Sequence, residues 1–211
     1  MRIIDLSLPV DNRMPGVRIT PCRSLDQDGW NATTLELYSH AGTHMDAPKH
    51  FLPKGASLHD QDLHALVGPA VLIDLAPAKP GQLLVPSDLA RWSEAILPGT
   101  RLLLRTDWYR RYGTDEYRSQ LPRISVELAR WLVDRRVALI GVEPPSVADV
   151  NNLAELTEVH RTLFRGGVVI VEGLAHLDRI EQPVVQFVAL PLNIVGGDGC
   201  PVRAIAIESD P

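Results

Sequence analysis

The sequence predicts a mixed α/β fold built on one mixed sheet, and three observations lead there. Eight runs of β-branched and aliphatic residues recur along the chain, amphipathic helical patterns fall only between the later runs, and no low-complexity segment divides the 211 residues. The runs are 3–8, 33–38, 71–75, 102–104, 137–142, 168–171, 184–190 and 202–207. Early runs joined by loops favour antiparallel pairing, whereas later runs alternating with helices favour parallel pairing, so both belong to the same sheet.

Taken in order, the first run carries Asp5 and is followed by Pro9 with no small-residue cleavage site, which makes it a strand rather than a leader. Ser87 as N-cap with Leu89, Trp92 and Ile96 on one face predicts a helix, and Ser125 ahead of Leu128, Trp131 and Leu132 predicts a second. A third is expected to start at Thr157, to run through Val159, Leu163 and Phe164, and to stop at Gly166-Gly167, where glycine can take the positive φ of a helix end. The 17 prolines lie mostly in connections, and a single domain over 1–211 is expected.

Composition excludes several functions. With 21 Lys and Arg against 26 Asp and Glu, the net charge of -5 lacks the basic excess of a nucleic-acid binder. Apolar runs such as 137–142 are far shorter than the roughly 20 residues a membrane span needs. Cys22 and Cys200 have no C-x-x-C spacing, which argues against a thiolate metal site or a disulfide framework and favours a reduced, cytoplasmic setting.

Chemistry concentrates between Ser39 and Phe51, where three of the seven histidines meet a carboxylate: His40, His44, Asp46 and His50. A spacing of four would put His40 and His44 on one helix face, but Gly42 and Pro48 point to a loop that folds both rings inward. Asp46 adds a hard oxygen ligand with lone pairs enough to bridge two cations. Taken singly, each histidine reads as a surface residue; the cluster reads as a metal site. His59 and His64 lie in a polar segment without partners and receive no role. A second group is downstream, with His160 on the third helix and Glu172 closing an apolar strand, where a carboxylate must reach solvent, a cation or a base such as Arg161 or Arg165.

The stretch His40-Ala-Gly-Thr-His44-Met-Asp46-Ala-Pro-Lys-His50-Phe51 resembles the H-x-G-T-H-x-D-x-P-x-H-F signature of the cyclase-like metal-dependent hydrolases, a family that includes bacterial kynurenine formamidase and isatin hydrolase. Further similarity at Arg105-Thr106, Pro145-Ser146-Val147, His160, Val171-Glu172-Gly173 and Pro201-Val202-Arg203 extends it over nearly the whole chain. The resemblance implies a swivelling β/β/α fold, a homodimer or homotetramer, and one or two divalent cations, zinc first and manganese second. It implies His40, His44, Asp46, His160 and Glu172 as ligands, Asp46 touching both metals, with His50 as the acid/base. The implied reaction is hydrolysis of a small-molecule amide, an aryl formamide such as N-formylkynurenine or else a cyclic amide of the isatin type.

Two segments depart from the formamidase pattern. Met14-Pro15-Gly16-Val17-Arg18-Ile19 lacks the aromatic and the acid of the W/Y-P-G-D-x-P loop expected to border the substrate, and Pro144-Pro145-Ser146-Val147-Ala148-Asp149 alters the family's T/V-P-S-x-D-P turn. Trp108 and Tyr109 read as packing residues. A rival reading takes His44, Asp46 and His160 as the 2-His-1-carboxylate triad of a non-haem iron oxygenase, which leaves His40, His50 and Glu172 idle. A metal-stabilised binding module without turnover is a third reading.

Overall fold

The computed structural model describes residues 1–209. Nine strands form one mixed sheet: β1 (Arg2–Asp5), β4 (His44–Asp46), β5 (Val67–Asp74), β7 (Arg101–Arg105), β9 (Leu139–Val142), β10 (Val169–Glu172), β11 (Val184–Val188), β12 (Gly199–Pro201) and β13 (Ile205–Glu208). Their spatial order is β1-β13-β11-β5-β7-β9-β10-β4-β12. The centre, β5 to β10, is parallel where helices intervene and both flanks are antiparallel, but the run expected at 33–38 lies outside this sheet. A separate hairpin pairs β2 (Val17–Arg23) with β3 (Ala32–Leu37), and a short parallel pair joins β6 (Leu83–Leu84) to β8 (Arg123–Ile124).

Central strands are apolar on both faces because both are covered. Leu103, Leu139, Val169 and Val171 enter a core enclosed by the curl of the sheet, where they meet Phe187, Leu6 and Met45. Leu102, Leu104, Ile140 and Ile170 point the other way, onto the helices Val126–Asp134 and Leu153–Arg165 through Leu128, Leu132, Val159 and Leu163. The curl is held by the segment after β1. Leu6 N–H donates to Ala204, Ala175 N–H donates to Leu6, and Leu8 N–H donates to Thr43 Oγ1, which itself donates to the Gly173 carbonyl at 2.5 Å.

Several sequence expectations need correction. His44–Asp46 is not loop but a strand, hydrogen-bonded on one side to β10 and on the other to β12; Gly42 and Pro48 lie just outside its two ends. The segment led by Ser87 is a 3-10 helix, Pro86–Trp92, entered through Val85, whose N–H donates to Asp88; Pro86 pre-sets its first turn. The third helix starts at Leu153 rather than at Thr157, because Asn152 accepts the Glu155 N–H and caps it earlier. Ser125 caps its helix as expected, and Gly167 takes the positive φ. The run 202–207 is split, its first residues forming the turn between β12 and β13, and the strand Val17–Arg23 went unrecognised because it is exposed along most of its length.

Gly173 is the tightest point of the curl. It has φ +66°, and a Cβ there would come within 2.4 Å of the Gly42 carbonyl oxygen, a backbone atom fixed by the strand that follows. Gly173→Ala is therefore expected to destabilise the protein by at least about 2 kcal/mol in urea unfolding, against about 1 kcal/mol for Gly29→Ser, which has a positive φ of +76° but meets no neighbouring atom.

Candidate metal centre

Strand alternation builds the centre. His44 and Asp46 are two apart, so they share one face of β4 while Met45 points into the curled core opposite Val171 and Cys200. The antiparallel register sets His44 across from Glu172 and Asp46 across from Ile170, which brings Glu172 to that same face. The helix Leu153–Arg165 covers it and lowers His160 from above. On the other side, Gly199 lies opposite Asp46, and its missing side chain leaves the space that the His40 ring fills, 2.6 Å from where a Cβ would stand. His50 arrives on the 3-10 turn Pro48–His50 and stacks on His40 with ring centroids 3.9 Å apart. Phe51 stacks on His160 at 4.3 Å and meets His50 edge-on at 4.5 Å, tying the two groups of the sequence together.

All six residues singled out from sequence thus meet at one place. His44, Asp46, His160 and Glu172 are 2, 1, 2 and 3% exposed, a concentration of ionisable groups whose desolvation costs several kcal/mol per charge. His44 Nε2 lies 3.4 Å from Asp46 and 3.2 Å from Glu172, and His160 Nε2 lies 3.6 and 3.4 Å from the same two carboxylates. His40 Nδ1 is 2.7 Å from Asp46. Ligand atoms fall into two sets, each within 4.8 Å: His40, Asp46 and His50, and His44, Asp46 and Glu172. Asp46 is common to both, the arrangement a bridging carboxylate requires.

The chain's own polar groups fit a divalent cation. His44 Nδ1 donates to the Gly42 carbonyl at 2.9 Å and His160 Nδ1 donates to the Leu156 carbonyl at 2.7 Å, so in the neutral rings the bare nitrogen is Nε2, aimed at the carboxylates. His44 Nε2 and Asp46 Oδ2 are buried with no hydrogen-bond partner, unsatisfied lone-pair donors facing one point. Only nitrogen and oxygen donors are present, a set that suits zinc, manganese or iron.

Electrostatics follow from the same packing. Burial alone would lower the His44 imidazole, but hydrogen bonding to Asp46 and Glu172, with their charges, pushes it up to about 10. Burial opposes ionisation of Asp46, yet His40 and His44 outweigh it and hold that carboxyl below the ordinary range. For Glu172, burial and the charge of Asp46 are overcome by His160 and His44 in the same sense. His50 goes the opposite way, lowered chiefly by burial.

Asp198 escaped the sequence reading. It sits in Gly196-Gly197-Asp198-Gly199 with Oδ2 3.1 Å from His40 Nε2 and 3.8 Å from His50 Nδ1, and the only signal was an acid bracketed by glycines after an apolar strand. Glu143 also escaped it: fully buried at the end of β9, its Oε2 accepts from Thr106 N–H, Thr106 Oγ1 and Trp108 N–H, and burial pushes its carboxyl up to about 7. His59 pairs with Asp60 and His64 is exposed, both outside the centre as expected. Trp108 is buried packing, its Nε1 donating to Tyr117. Met14, in the departing N-terminal loop, is buried against Gly42 and packs with Leu8, Ala41 and Trp108.

A buried cluster of nitrogen and oxygen donors on the helix-covered face of a curled mixed sheet could hold a divalent cation. The chain belongs to the cyclase family, whose model, described as "Putative cyclase", matches residues 4–149. It is 34% identical over 212 residues to kynurenine formamidase of Bacillus cytotoxicus, covering 96% of this chain and 95% of the relative. Among solved structures it resembles isatin hydrolase A of Labrenzia aggregata bound to benzyl benzoate, with TM-score 0.88, 27% identity, and 99% and 94% of the two chains covered. It also resembles a protein described as a potential metal-dependent hydrolase with cyclase activity, with TM-score 0.81, 26% identity, and 100% and 99% covered.

The raised His44 and the depressed carboxylates set opposite pH limits. His44 contributes stability fully below its unfolded value of about 6.5 and loses it as pH rises toward 10, while Asp46 and Glu172 contribute above about pH 4.5 and lose it as pH falls. Metal-stripped protein is therefore expected to melt at progressively lower temperature from pH 6.5 to 10. Zinc binding at pH 7.5 should release at least one proton, read from calorimetry in buffers of different ionisation enthalpy; no release would show that His44 is already neutral.

Proposed function

We propose that this chain is a metal-dependent amidohydrolase acting on a non-peptide C–N bond, with an aryl formamide such as N-formylkynurenine as substrate. The observation that carries this reading is the gathering of His40, His44, His160 and Glu172 around the buried Asp46 carboxylate, with His44 Nε2 and Asp46 Oδ2 left without hydrogen-bond partners. The kynurenine formamidase relative supplies the reaction class over almost the full chain. These five residues would hold one or two cations, zinc first and manganese second, with Asp46 common to the two candidate sets and His160 beside Asp46 and Glu172. When bound, the cation lowers the pKa of a water and polarises the amide carbonyl.

The chain's residues do the rest. His50 is half-buried and lowered by burial, so near neutrality it is an unprotonated imidazole able to take a proton and return it to the departing nitrogen. Its stack on His40 and the edge of Phe51 fix the ring. In the N-terminal loop Met14 and Val17 stand where formamidases carry an aromatic residue and an acid, and Met14 is buried beside Gly42. That departure, with the likeness to isatin hydrolase A, favours a cyclic amide as the second reading. The iron-triad reading uses His44, Asp46 and His160 but gives no part to Glu172, 3.2 Å from His44, or to His40, 2.7 Å from Asp46.

The reaction is assigned to the cytoplasm, in keeping with free Cys22 and Cys200 and with the absence, among the described residues, of any helix long and apolar enough to cross a membrane. The working unit is a homodimer or homotetramer, and the hairpin β2–β3 region, with Leu25, Trp30 and Leu35 exposed, is the surface offered for it.

Metal-stripped protein should be inert toward N-formylkynurenine and regain turnover with zinc or manganese. His50→Ala should keep its metal and lose roughly 100-fold or more in kcat, whereas Asp46→Ala should lose metal and turnover together. Parallel loss of both in both variants would sink the division of roles. Ring opening of isatin without formamide cleavage would move the assignment to the second reading.

A further inference from the structure

We infer that Asp198 is a positioning residue for the metal centre, holding His40 in the tautomer that presents Nδ1 to the cation and steadying His50 across the stack. The inference rests on the reading of the centre given above and adds a residue to it. His44 and His160 face Asp46 and Glu172 and His40 faces Asp46, and each needs its far nitrogen to carry the proton if the near one is to offer a lone pair. For His44 and His160 that proton is fixed by backbone carbonyls, Gly42 and Leu156, which can only accept. His40 makes no such backbone contact. The acceptor on its far side is the Asp198 carboxylate, with Oδ2 3.1 Å from Nε2, while Nδ1 faces Asp46 at 2.7 Å.

Asp198 is built into the same ladder as the ligands. Its carbonyl accepts the Ala47 N–H at 2.9 Å, and the next residue, Gly199, pairs with Asp46. The contact to His40 is therefore set by sheet register rather than by a free side chain, even though the Asp198 side chain itself is 45% exposed. The glycine at 199 lets the His40 ring lie flat against the strand, so one residue supplies the space and its neighbour the acceptor. The same oxygen is 3.8 Å from His50 Nδ1, too long for a hydrogen bond but close enough to orient the ring stacked on His40 at 3.9 Å. His40 without Asp198 would be free to shift its proton to Nδ1, where it would block the lone pair.

The test measures zinc affinity by competition with a chromogenic chelator in wild type, Asp198→Ala, Asp198→Asn and His44→Ala, alongside 15N-histidine NMR of the zinc-loaded wild type. Asp198→Ala is expected to weaken zinc binding roughly 10- to 100-fold, and Asp198→Asn, which keeps an acceptor oxygen, to recover most of it. The wild-type spectrum should show the His40 proton on Nε2. An Asp198→Ala affinity within about threefold of wild type overturns the inference, as does a His40 proton on Nδ1, a readout that needs no variant to fold. The wild-type and His44→Ala arms report on the centre itself: weak zinc binding by wild type, or none lost in His44→Ala, would fell the underlying reading along with this one, whereas tight wild-type binding with an indifferent Asp198→Ala fells this one alone.

Discussion

Two carboxylates buried on the same face of neighbouring strands are the constraint on which the rest of the structure turns. Asp46 on β4 and Glu172 on β10 are almost inaccessible to water, and an uncompensated pair of negative charges in such a place would unfold a protein of ordinary stability. Around them the chain gathers His40, His44 and His160, and gives Glu172 the Val147 N–H at 2.7 Å. The glycines nearby are there for the same reason. Gly173 lets the strand turn against Gly42, and Gly199 lets an imidazole lie where any side chain would collide. Stability has been given up locally to hold charge, the usual signature of a site kept for its chemistry.

The curl of the sheet separates two duties. Its enclosed face is a dry aliphatic and aromatic core in which Met45 and Val171 alternate with the ionisable residues of β4 and β10, and Cys200 lies across from Met45. Its outer face is covered by helices, and only at the β10–β4 end does that cover become chemical, where the helix Leu153–Arg165 turns Val159, Leu163 and Phe164 to the core and His160 to the carboxylates. A ligand thus sits one residue from a core side chain at each position. The centre is consequently as rigid as the packing beneath it, and metal geometry and core packing cannot be altered independently.

Most of the cluster was legible because its residues are dense in sequence. Three histidines and an acid fall between residues 40 and 50, and an acid ending an apolar strand at 172 demands a partner. What could not be read was the local geometry. A three-residue strand flanked by Gly42 and Pro48 looks like a loop until β10 and β12 pair with it from both sides, and those partners lie more than 120 residues away. The start of the third helix was misplaced for a related reason, since Asn152 and Thr157 are both good caps and only the surrounding contacts choose between them. Asp198 was invisible because its meaning comes from a register across the sheet, not from its neighbours in sequence. Central strands, apolar on both faces, were found at once; the exposed hairpin strand at Val17–Arg23 had no burial to give it away.

The position of β4 between β10 and β12 also fixes when the centre can exist during synthesis. The first ligands, at residues 40 to 50, are made early, but until β10 and then β12 are available they belong to a strand with no neighbours and carry no shared orientation. A nascent chain therefore holds a histidine-rich segment whose last strand partner is completed only about 150 residues later. The assembled cluster is in this way a product of the finished sheet, and a chain that stalls or is cut before Gly199 keeps the signature motif yet lacks the strand that walls it in.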